Sequence, residues 1–222
     1  ASSDFRNEIY FSDEILDRTA DSYRRIRNTI RFLLSNLYDF DHQQEVSLDS
    51  RVEIDIWILK EAEKLQNEII EDYSNYEFHL VYQKVLNFCT NELGSFYLDI
   101  LKDRLYTSKK SGFARTSAQK TLKSLFDKLL LWIAPILSFT AEEAFREFYK
   151  DKKSIFLESF SSAPEDIPLT LDEESWKVLN EIKIEANKLL EEKRNDGIIG
   201  SSLDAEVKIF CNSETFLRIS PC

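Results

Sequence analysis

The sequence YRRIRNTIRFLLSNL at residues 23–37 predicts the fold, because its apolar residues recur at steps of three and four. That spacing places them on one side of an α-helix, as a stripe that packs against other helices in a bundle. The stripe consists of Tyr23, Ile26, Ile30, Leu33 and Leu37. Ser12 or Asp13 can cap this helix, which we predict to continue to about Leu37.

Further helices follow from the same periodicity. We predict them at about 50–75, 76–93, 117–133 and 140–151. Gly94-Ser95 is expected to break or bend the chain, and residues 107–115 to form a polar basic loop. Thr140 and Glu143 have the spacing of a capping box at a helix start. The predicted fold class is therefore mainly α, an antiparallel helical bundle over residues 1–153.

The pattern changes after Lys153. A short, partly β-like stretch leads into a linker with two prolines at 161–168, and a helix over 172–194 ends at Gly197. Apolar residues alternate over 205–211, which predicts a strand that pairs with a second strand at 216–219. We therefore predict a small α+β junction unit over residues 154–222.

Length and composition limit the class of protein. The 222 residues include 43% apolar residues but only four Gly and four Pro, which favours one sizeable core of uninterrupted helices. No apolar run reaches the roughly 20 residues that cross a bilayer, so no membrane partner is expected. Three distant cysteines are typical of free thiols in a reducing cytosol, and we predict a cytoplasmic location. Because the sequence contains no Met, we expect a piece of a larger protein.

Positive charge is concentrated in two segments of an acidic chain. The first basic segment, residues 18–31, has five Arg and one acid, and the second basic segment, residues 102–123, has seven Lys or Arg and one acid. Together they carry +10, and since the net charge is −11 the other 186 residues carry −21. The second basic segment begins within FYLDILKDRLY at residues 96–106, whose rings accompany its cations. Cations that bind phosphates beside rings that stack on unpaired bases predict an RNA-binding surface.

Motifs for catalysis and metal binding are absent from the sequence. It has no glycine-rich phosphate loop, no serine nucleophile elbow and no paired-histidine motif. His42 and His79 are isolated, and three cysteines do not provide the four clustered ligands of a structural zinc site. We therefore expect this chain by itself to be non-catalytic, without cofactor or metal. An acidic helical module that docks proteins, rather than RNA, is an alternative.

Seven segments, taken in order, resemble one family. They are ASSDFRN at 1–7, YRRIRNTIRFLL at 23–34, YEFH at 76–79, FC at 88–89, FYLDILKDRLY at 96–106, APILSFTAEEA at 134–144 and IGSSLDA at 199–205. The chain resembles the C-terminal part of bacterial isoleucyl-tRNA synthetases, which are class I aminoacyl-tRNA synthetases. The segment at 134–144 is shared with valyl and leucyl relatives, so the equivalent domain of one of these remains an alternative. The segment at 96–106 is closer to the isoleucyl branch.

The resemblance implies a helical anticodon-binding domain that holds the anticodon stem-loop of tRNA(Ile). The family's signatures for ATP, which the parent enzyme uses with Mg²⁺, belong to an upstream catalytic domain of the same polypeptide. Many bacterial members carry a small zinc-binding domain at the C-terminal end, so zinc is expected only beyond this chain. The implied partners are tRNA(Ile) and the upstream catalytic domain, and we expect a monomer.

Ten residues are predicted to contact tRNA in that role. On the first helix, Arg24, Arg27 and Arg31 would contact phosphates or bases, and Asn28 a base edge. In the second basic segment, Lys102, Arg104, Lys109, Lys110 and Arg115 would grip the stem, and Tyr106 or Phe113 would stack on a base. Ion pairs within the bundle are the alternative for the arginines, especially for Arg104 beside Asp99 and Asp103, and packing is the alternative for Tyr106.

Overall fold

The computed structural model describes residues 1–41, 43, 46–47, 50–160, 171–201 and 204–219. The chain forms two compact units, Ala1–Pro168 and Leu169–Cys222. The first unit contains α1 (Asp13–Ser35), α2 (Glu53–Ser74), α3 (Phe78–Phe88), a π-helix (Cys89–Tyr97), α4 (Leu98–Thr107), α5 (Phe113–Ile133), α6 (Ser138–Phe148) and a short 3₁₀ turn (Ile155–Leu157). The second unit contains α7 (Glu173–Asn195) and α8 (Ser213–Ile219). The predicted linker at 161–168 and His42 lie outside the described residues.

Helix α1 forms as its sequence predicts. The Ser12 hydroxyl accepts a hydrogen bond from the backbone N–H of Ile15 at 3.2 Å, which satisfies one of the free amides at the helix start. The stripe is buried at Ile26, Ile30 and Leu33, so this side of α1 faces the core. The opposite side is left to the arginines of the first basic segment.

Helix α5 is the centre of the bundle, because α1, α2, α3, α4 and α6 all pack against it. Its side chains are buried around the whole helix, as expected for a helix surrounded by others. Trp132 is fully buried, stacks edge-to-face on Phe88 at 5.5 Å and accepts a hydrogen bond from the Tyr73 hydroxyl at its carbonyl oxygen. Removing such a buried ring costs about 3–5 kcal/mol.

Hydrogen bonds between helices give their directions. Gln119, near the start of α5, donates to the carbonyl of Asn36 at the end of α1, so these two helices are antiparallel. Ser117 and Lys128 of α5 bond to Asp55 and Glu63 of α2 in the same order along both helices. Helices α2 and α5 are therefore parallel.

Two local expectations in the first unit are corrected. Of the break or bend expected at Gly94-Ser95, the break is wrong, since the π-helix joins α3 to α4. A Cβ on Gly94 would lie 2.8 Å from the carbonyl oxygen of Cys89, so glycine allows this wider turn to close. Thr140 does not cap α6, because the helix begins two residues earlier at Ser138. Instead, the Thr140 hydroxyl shares a 3.1 Å hydrogen bond with Tyr23 of α1.

The 3₁₀ turn belongs to the core of the first unit. Glu142 of α6 accepts hydrogen bonds from the Ser154 hydroxyl at 2.8 Å and from the backbone N–H of Ile155 at 3.0 Å. Ile155 itself is buried in the main hydrophobic cluster. Residues 154–157 therefore pack with the first unit, Ala1–Pro168, and the domain boundary expected after Lys153 remains a prediction.

The second unit is helical in its described part. Asp172 caps α7 by accepting from the backbone N–H of Ser175, and Gly197, with φ of 71°, ends the helix in a left-handed conformation as predicted. The strand predicted at 216–219 is wrong, because these residues lie in α8, whose start is capped by the Asn212 side chain. No strand occurs within the described residues, and 205–211 is an extended stretch without helix or strand. The mainly α fold class is confirmed, and the β part of the junction unit is not.

Candidate nucleic-acid interface

The first basic segment presents its polar groups to solvent. Because Ile26 and Ile30 face the core, the side chains of Arg24, Arg27, Asn28 and Arg31 are exposed. Arg24 pairs with Asp21 one turn earlier, with 2.7 Å between nitrogen and oxygen, and both groups are well exposed. Within the part of the chain that the structure describes, Arg27 and Arg31 make no ion pair or hydrogen bond through their side chains. Their positive charges are available to a ligand.

Arg27 and Arg31 form one side of a groove between α1 and α6. Thr140, Glu143 and Glu147 of α6 form the other side, and the apolar residues Ile30, Leu34 and Ala144 also line it. Glu147 pairs with exposed Lys150 at 3.2 Å, so part of its charge is already balanced. The groove therefore presents the two guanidinium groups beside an apolar strip, with carboxylates opposite.

The second basic segment divides into exposed and inward-facing groups. Lys102, Tyr106, Lys109 and Lys110 are exposed, and Lys102 pairs with exposed Asp99 at 2.9 Å. Tyr106 is 66% exposed and Phe113 is 53% exposed, which leaves both rings open to stacking. The contact role proposed for each of these side chains remains a prediction.

Arg104 is held inside the first unit. Its guanidinium donates to both carboxylate oxygens of Asp55 at 2.8 and 2.7 Å, and to the carbonyl of Ala114 at 2.9 Å. Its side chain is 18% exposed, and Asp55 is completely buried. Burial by itself lowers the pKa of Arg104, but the hydrogen bonds to Asp55 outweigh it and raise the pKa above its ordinary value. This geometry assigns Arg104 to the alternative that the sequence left open, an internal ion pair.

Asp55 is the acceptor at the centre of a buried polar network. In addition to Arg104, the hydroxyl of Tyr97 donates to it at 2.8 Å and the hydroxyl of Ser117 at 2.7 Å. Burial, followed by the charge of Asp55, raises the pKa of Tyr97 well above its ordinary value. The network joins α2, the π-helix, α4 and α5, so it fixes how the second basic segment is attached to the bundle.

Arg115 also faces inward. Its guanidinium donates to Asp39 at 2.9 Å and to the carbonyl of Leu105 at 3.2 Å, and its side chain is 8% exposed. Burial by itself raises the pKa of Asp39, but the hydrogen bonds from Arg115 and Gln119 outweigh it and the pKa lies below its ordinary value. We therefore leave Arg104 and Arg115 out of the set of groups available to RNA in this structure.

Asp55 and Asp39 were missed by the sequence analysis, although they decide where two predicted contact residues point. The partners are separated by 49 residues for Arg104 and Asp55, and by 76 residues for Arg115 and Asp39. One signal was present in the sequence. Asp55 falls on the apolar face of the second predicted helix, three and seven residues before Ile58 and Ala62, and a carboxylate there needs a cationic partner.

Other classes of site find no support in the described residues. None of the helices in the described ranges is long and apolar enough to span a membrane. Among the same residues, no group of three or more His, Cys, Asp or Glu side chains is arranged to hold a metal ion.

Comparison with known proteins gives consistent matches. The family model described as the anticodon-binding domain of tRNA ligase matches residues 55–209. Isoleucine–tRNA ligase of Coxiella burnetii is 50% identical over 96% of this chain and 23% of its own length. The enzymes named isoleucine–tRNA ligase from Legionella pneumophila and Idiomarina loihiensis are 45% and 47% identical, over 99% and 96% of the chain and 24% and 23% of their own lengths.

The chain therefore spans about a quarter of the length of the curated relatives that it matches. These matches support the reading based on the seven sequence segments. They do not support the alternative of an acidic protein-docking module.

Proposed function

Because this chain belongs to the family of anticodon-binding domains of tRNA ligases, we propose that it binds the anticodon stem-loop of tRNA(Ile) for an isoleucine–tRNA ligase. The observation that carries the choice of isoleucine is the 45–50% identity to enzymes of that name over nearly the whole chain. Holding the stem-loop would direct the distant acceptor end of the tRNA toward the catalytic part of the longer protein. Orienting a reactant in this way lowers a barrier by removing translational and rotational freedom before the reaction.

Exposed cations on an acidic body suit this role. Arg27 and Arg31 on α1, with Lys109 and Lys110 between α4 and α5, offer four charges that no described side chain neutralises. Each phosphate that they contact releases counterions, so affinity would fall as salt rises. The negative charge elsewhere repels RNA and thereby limits the faces on which a tRNA can bind.

The catalytic part of the same polypeptide would supply the ATP and Mg²⁺ chemistry of aminoacylation. A zinc site, if the protein has one, would also belong to residues outside this chain. We place the protein in the cytoplasm and expect a monomer, as the resemblance implies. Each of these is an inference from the resemblance rather than from a site in this chain.

Binding to purified tRNAs tests the proposal. We expect the full-length protein to bind a tRNA(Ile) transcript at least about tenfold more tightly than tRNA(Val) or tRNA(Leu), a difference of about 1.4 kcal/mol. A tRNA(Ile) transcript with an exchanged anticodon is the matched control, and it should lose most of this preference. Equal affinity for the three tRNAs would contradict the assignment to isoleucine, and no loss with the exchanged anticodon would contradict binding at the stem-loop.

A further inference from the structure

The loop between α4 and α5 carries two of the exposed cations. We call residues Ser108–Gly112 the basic loop, because Lys109 and Lys110 lie in it with their side chains in solvent. The backbone N–H of Gly112 donates to the carbonyl of Lys109 at 2.8 Å and closes a tight turn. A Cβ on Gly112 would lie 2.9 Å from the same carbonyl oxygen, so the turn depends on glycine.

Arg115 holds the basic loop through hydrogen bonds from the interior of the first unit. Its guanidinium donates to the carbonyl of Leu105 before the loop at 3.2 Å and to the carbonyl of Lys110 within the loop at 3.5 Å. These bonds span the loop from the last turns of α4 to its middle. The side chain is 8% exposed, so it acts on the lysines through the backbone and is withdrawn from solvent itself.

Asp39 anchors Arg115 to another part of the bundle. Its carboxylate accepts from Arg115 at 2.9 Å and from the Gln119 side chain at 2.8 Å. Gln119 also donates to the carbonyl of Asn36, at the end of α1, at 3.0 Å. The basic loop is thus tied, through Arg115 and Asp39, to the helix that carries the first basic segment.

The chemistry of this connection needs a guanidinium group. Arginine presents five N–H donors in a rigid planar fork, and here three separate acceptors receive bonds from it. A lysine at the same position has a compact ammonium group on a flexible stem and does not reach the three acceptors in this geometry.

We propose that Arg115 is a positioning residue for RNA binding, which, paired with Asp39, holds the basic loop so that Lys109 and Lys110 face the tRNA backbone. This inference rests on the proposed function, since it requires a tRNA at the interface. Arg115, which the sequence predicts as a direct tRNA contact, would then affect binding indirectly. Its effect on binding passes through the two lysines.

A double-mutant cycle in the full-length protein tests that dependence. The variants are Arg115→Gln, the pair Lys109→Ala/Lys110→Ala, and all three changes together, measured by equilibrium binding to a tRNA(Ile) transcript across salt concentrations. We expect Arg115→Gln to weaken binding about fivefold, and to have no further effect once the two lysines are absent. The slope of log affinity against log salt should shrink by about 1.5 for the lysine pair, and by a smaller amount in the same direction for Arg115→Gln.

Control variants separate positioning from general stability and from charge. Lys128→Gln removes another buried cation of α5, which bonds to Glu63 and Gln66 far from the loop, and should leave tRNA affinity unchanged. Arg115→Lys keeps the charge without the fork and should bind as weakly as Arg115→Gln. Gln119→Leu removes the second donor to Asp39 without leaving an unpaired charge. If Arg115→Gln does not fold, Gln119→Leu takes its place in the cycle and should weaken tRNA binding by less than about fivefold.

The outcomes distinguish this inference from the function on which it rests. If Arg115→Gln weakens binding equally with and without the lysines, or if Lys128→Gln gives the same loss, the inference is wrong. Full binding by Arg115→Lys would also overturn it, because charge alone would then suffice. If the lysine pair has no effect while the unaltered protein binds tRNA(Ile), Arg115 has nothing to position and only this inference fails. Absence of tRNA(Ile) binding by the unaltered protein would instead overturn the proposed function.

Discussion

The arginines of the two basic segments point in opposite directions. On α1, Arg27 and Arg31 face solvent, while in the second basic segment Arg104 and Arg115 face the core and leave exposure to the lysines. The difference follows from the surroundings. Helix α1 buries one stripe and opens its other side to water, whereas α4 and α5 enclose carboxylates and free carbonyls that a guanidinium fork can satisfy. A cluster of cations in a sequence can therefore form a binding surface, or it can form the internal ion pairs that hold such a surface in place.

The largest effect is expected for the buried network. Asp55→Ala leaves the Arg104 guanidinium without its partner in a largely buried position, which costs about 3–5 kcal/mol of the free energy of unfolding. Urea unfolding measures it. Asp99→Ala, which removes an exposed partner of Lys102, is the control and should change the free energy by less than about 0.5 kcal/mol. If Asp55→Ala and Asp99→Ala changed the free energy of unfolding by similar amounts, the distinction between inward-facing and exposed cations would be wrong.

The exposed arginines of α1 should affect RNA and not the fold. Arg27→Ala/Arg31→Ala removes two charges that have no internal partner among the described residues, so the free energy of unfolding should stay within about 0.5 kcal/mol. We expect tRNA affinity to fall about tenfold, or about 1.4 kcal/mol, with a salt slope smaller by about 1.5. Unchanged affinity and slope would remove this side of α1 from the interface.

The turn of the basic loop is expected to give an intermediate effect. Gly112→Ala places a Cβ against the Lys109 carbonyl, so the loop must shift, at a cost of about 1 kcal/mol in the free energy of unfolding. The same shift should weaken tRNA binding about threefold, or about 0.6 kcal/mol. Ser111→Ala, in the same loop, is the matched control for both measurements. If the two variants bind tRNA alike, the shape of the loop has no role in binding.

Arg24 should give a small change in both stability and tRNA binding. Its pair with Asp21 is exposed on both sides and lies at a spacing of three residues, so Arg24→Ala should cost about 0.2–0.5 kcal/mol in thermal or urea unfolding. A single lost phosphate contact should reduce the salt slope for tRNA by about 0.8. A stability loss above about 1 kcal/mol would place Arg24 with the inward-facing cations instead.

Helix periodicity was sufficient to predict most of the fold. The stripe through Ile26, Ile30 and Leu33 is buried as predicted, and Gly197 ends α7 where its left-handed conformation was expected. Short sequence patterns gave a wrong prediction where the same residues are compatible with either a strand or a helix. The alternation over 205–211 predicts a strand that pairs with 216–219, but in the structure the Asn212 side chain caps α8 there, and 216–219 lie in that helix.

The candidate site was predictable only in part. Eight of the ten predicted residues are exposed. For the six that lie on helices this follows from helix phase, since they lie off the buried stripes, and Lys109 and Lys110 lie in the loop between α4 and α5. The inward turn of Arg104 and Arg115 depends on acids 49 and 76 residues away, and contacts of that range are set by how the helices pack. Near Arg104, the sequence offered Asp99 and Asp103 as partners, and the structure uses neither of them.

The π-helix between α3 and α4 has a consequence for how such a domain can change its ligand face. Its extra winding sets the rotational phase of α4, which turns Arg104 toward Asp55 and Lys102 toward solvent. Deleting one residue from Cys89–Tyr97 would rotate α4 by about 100° about its axis. A change of chain length by one position, with no change in charge, would thus bring Leu105 to the place where Arg104 now meets Asp55, and the buried carboxylate would lose its cationic partner.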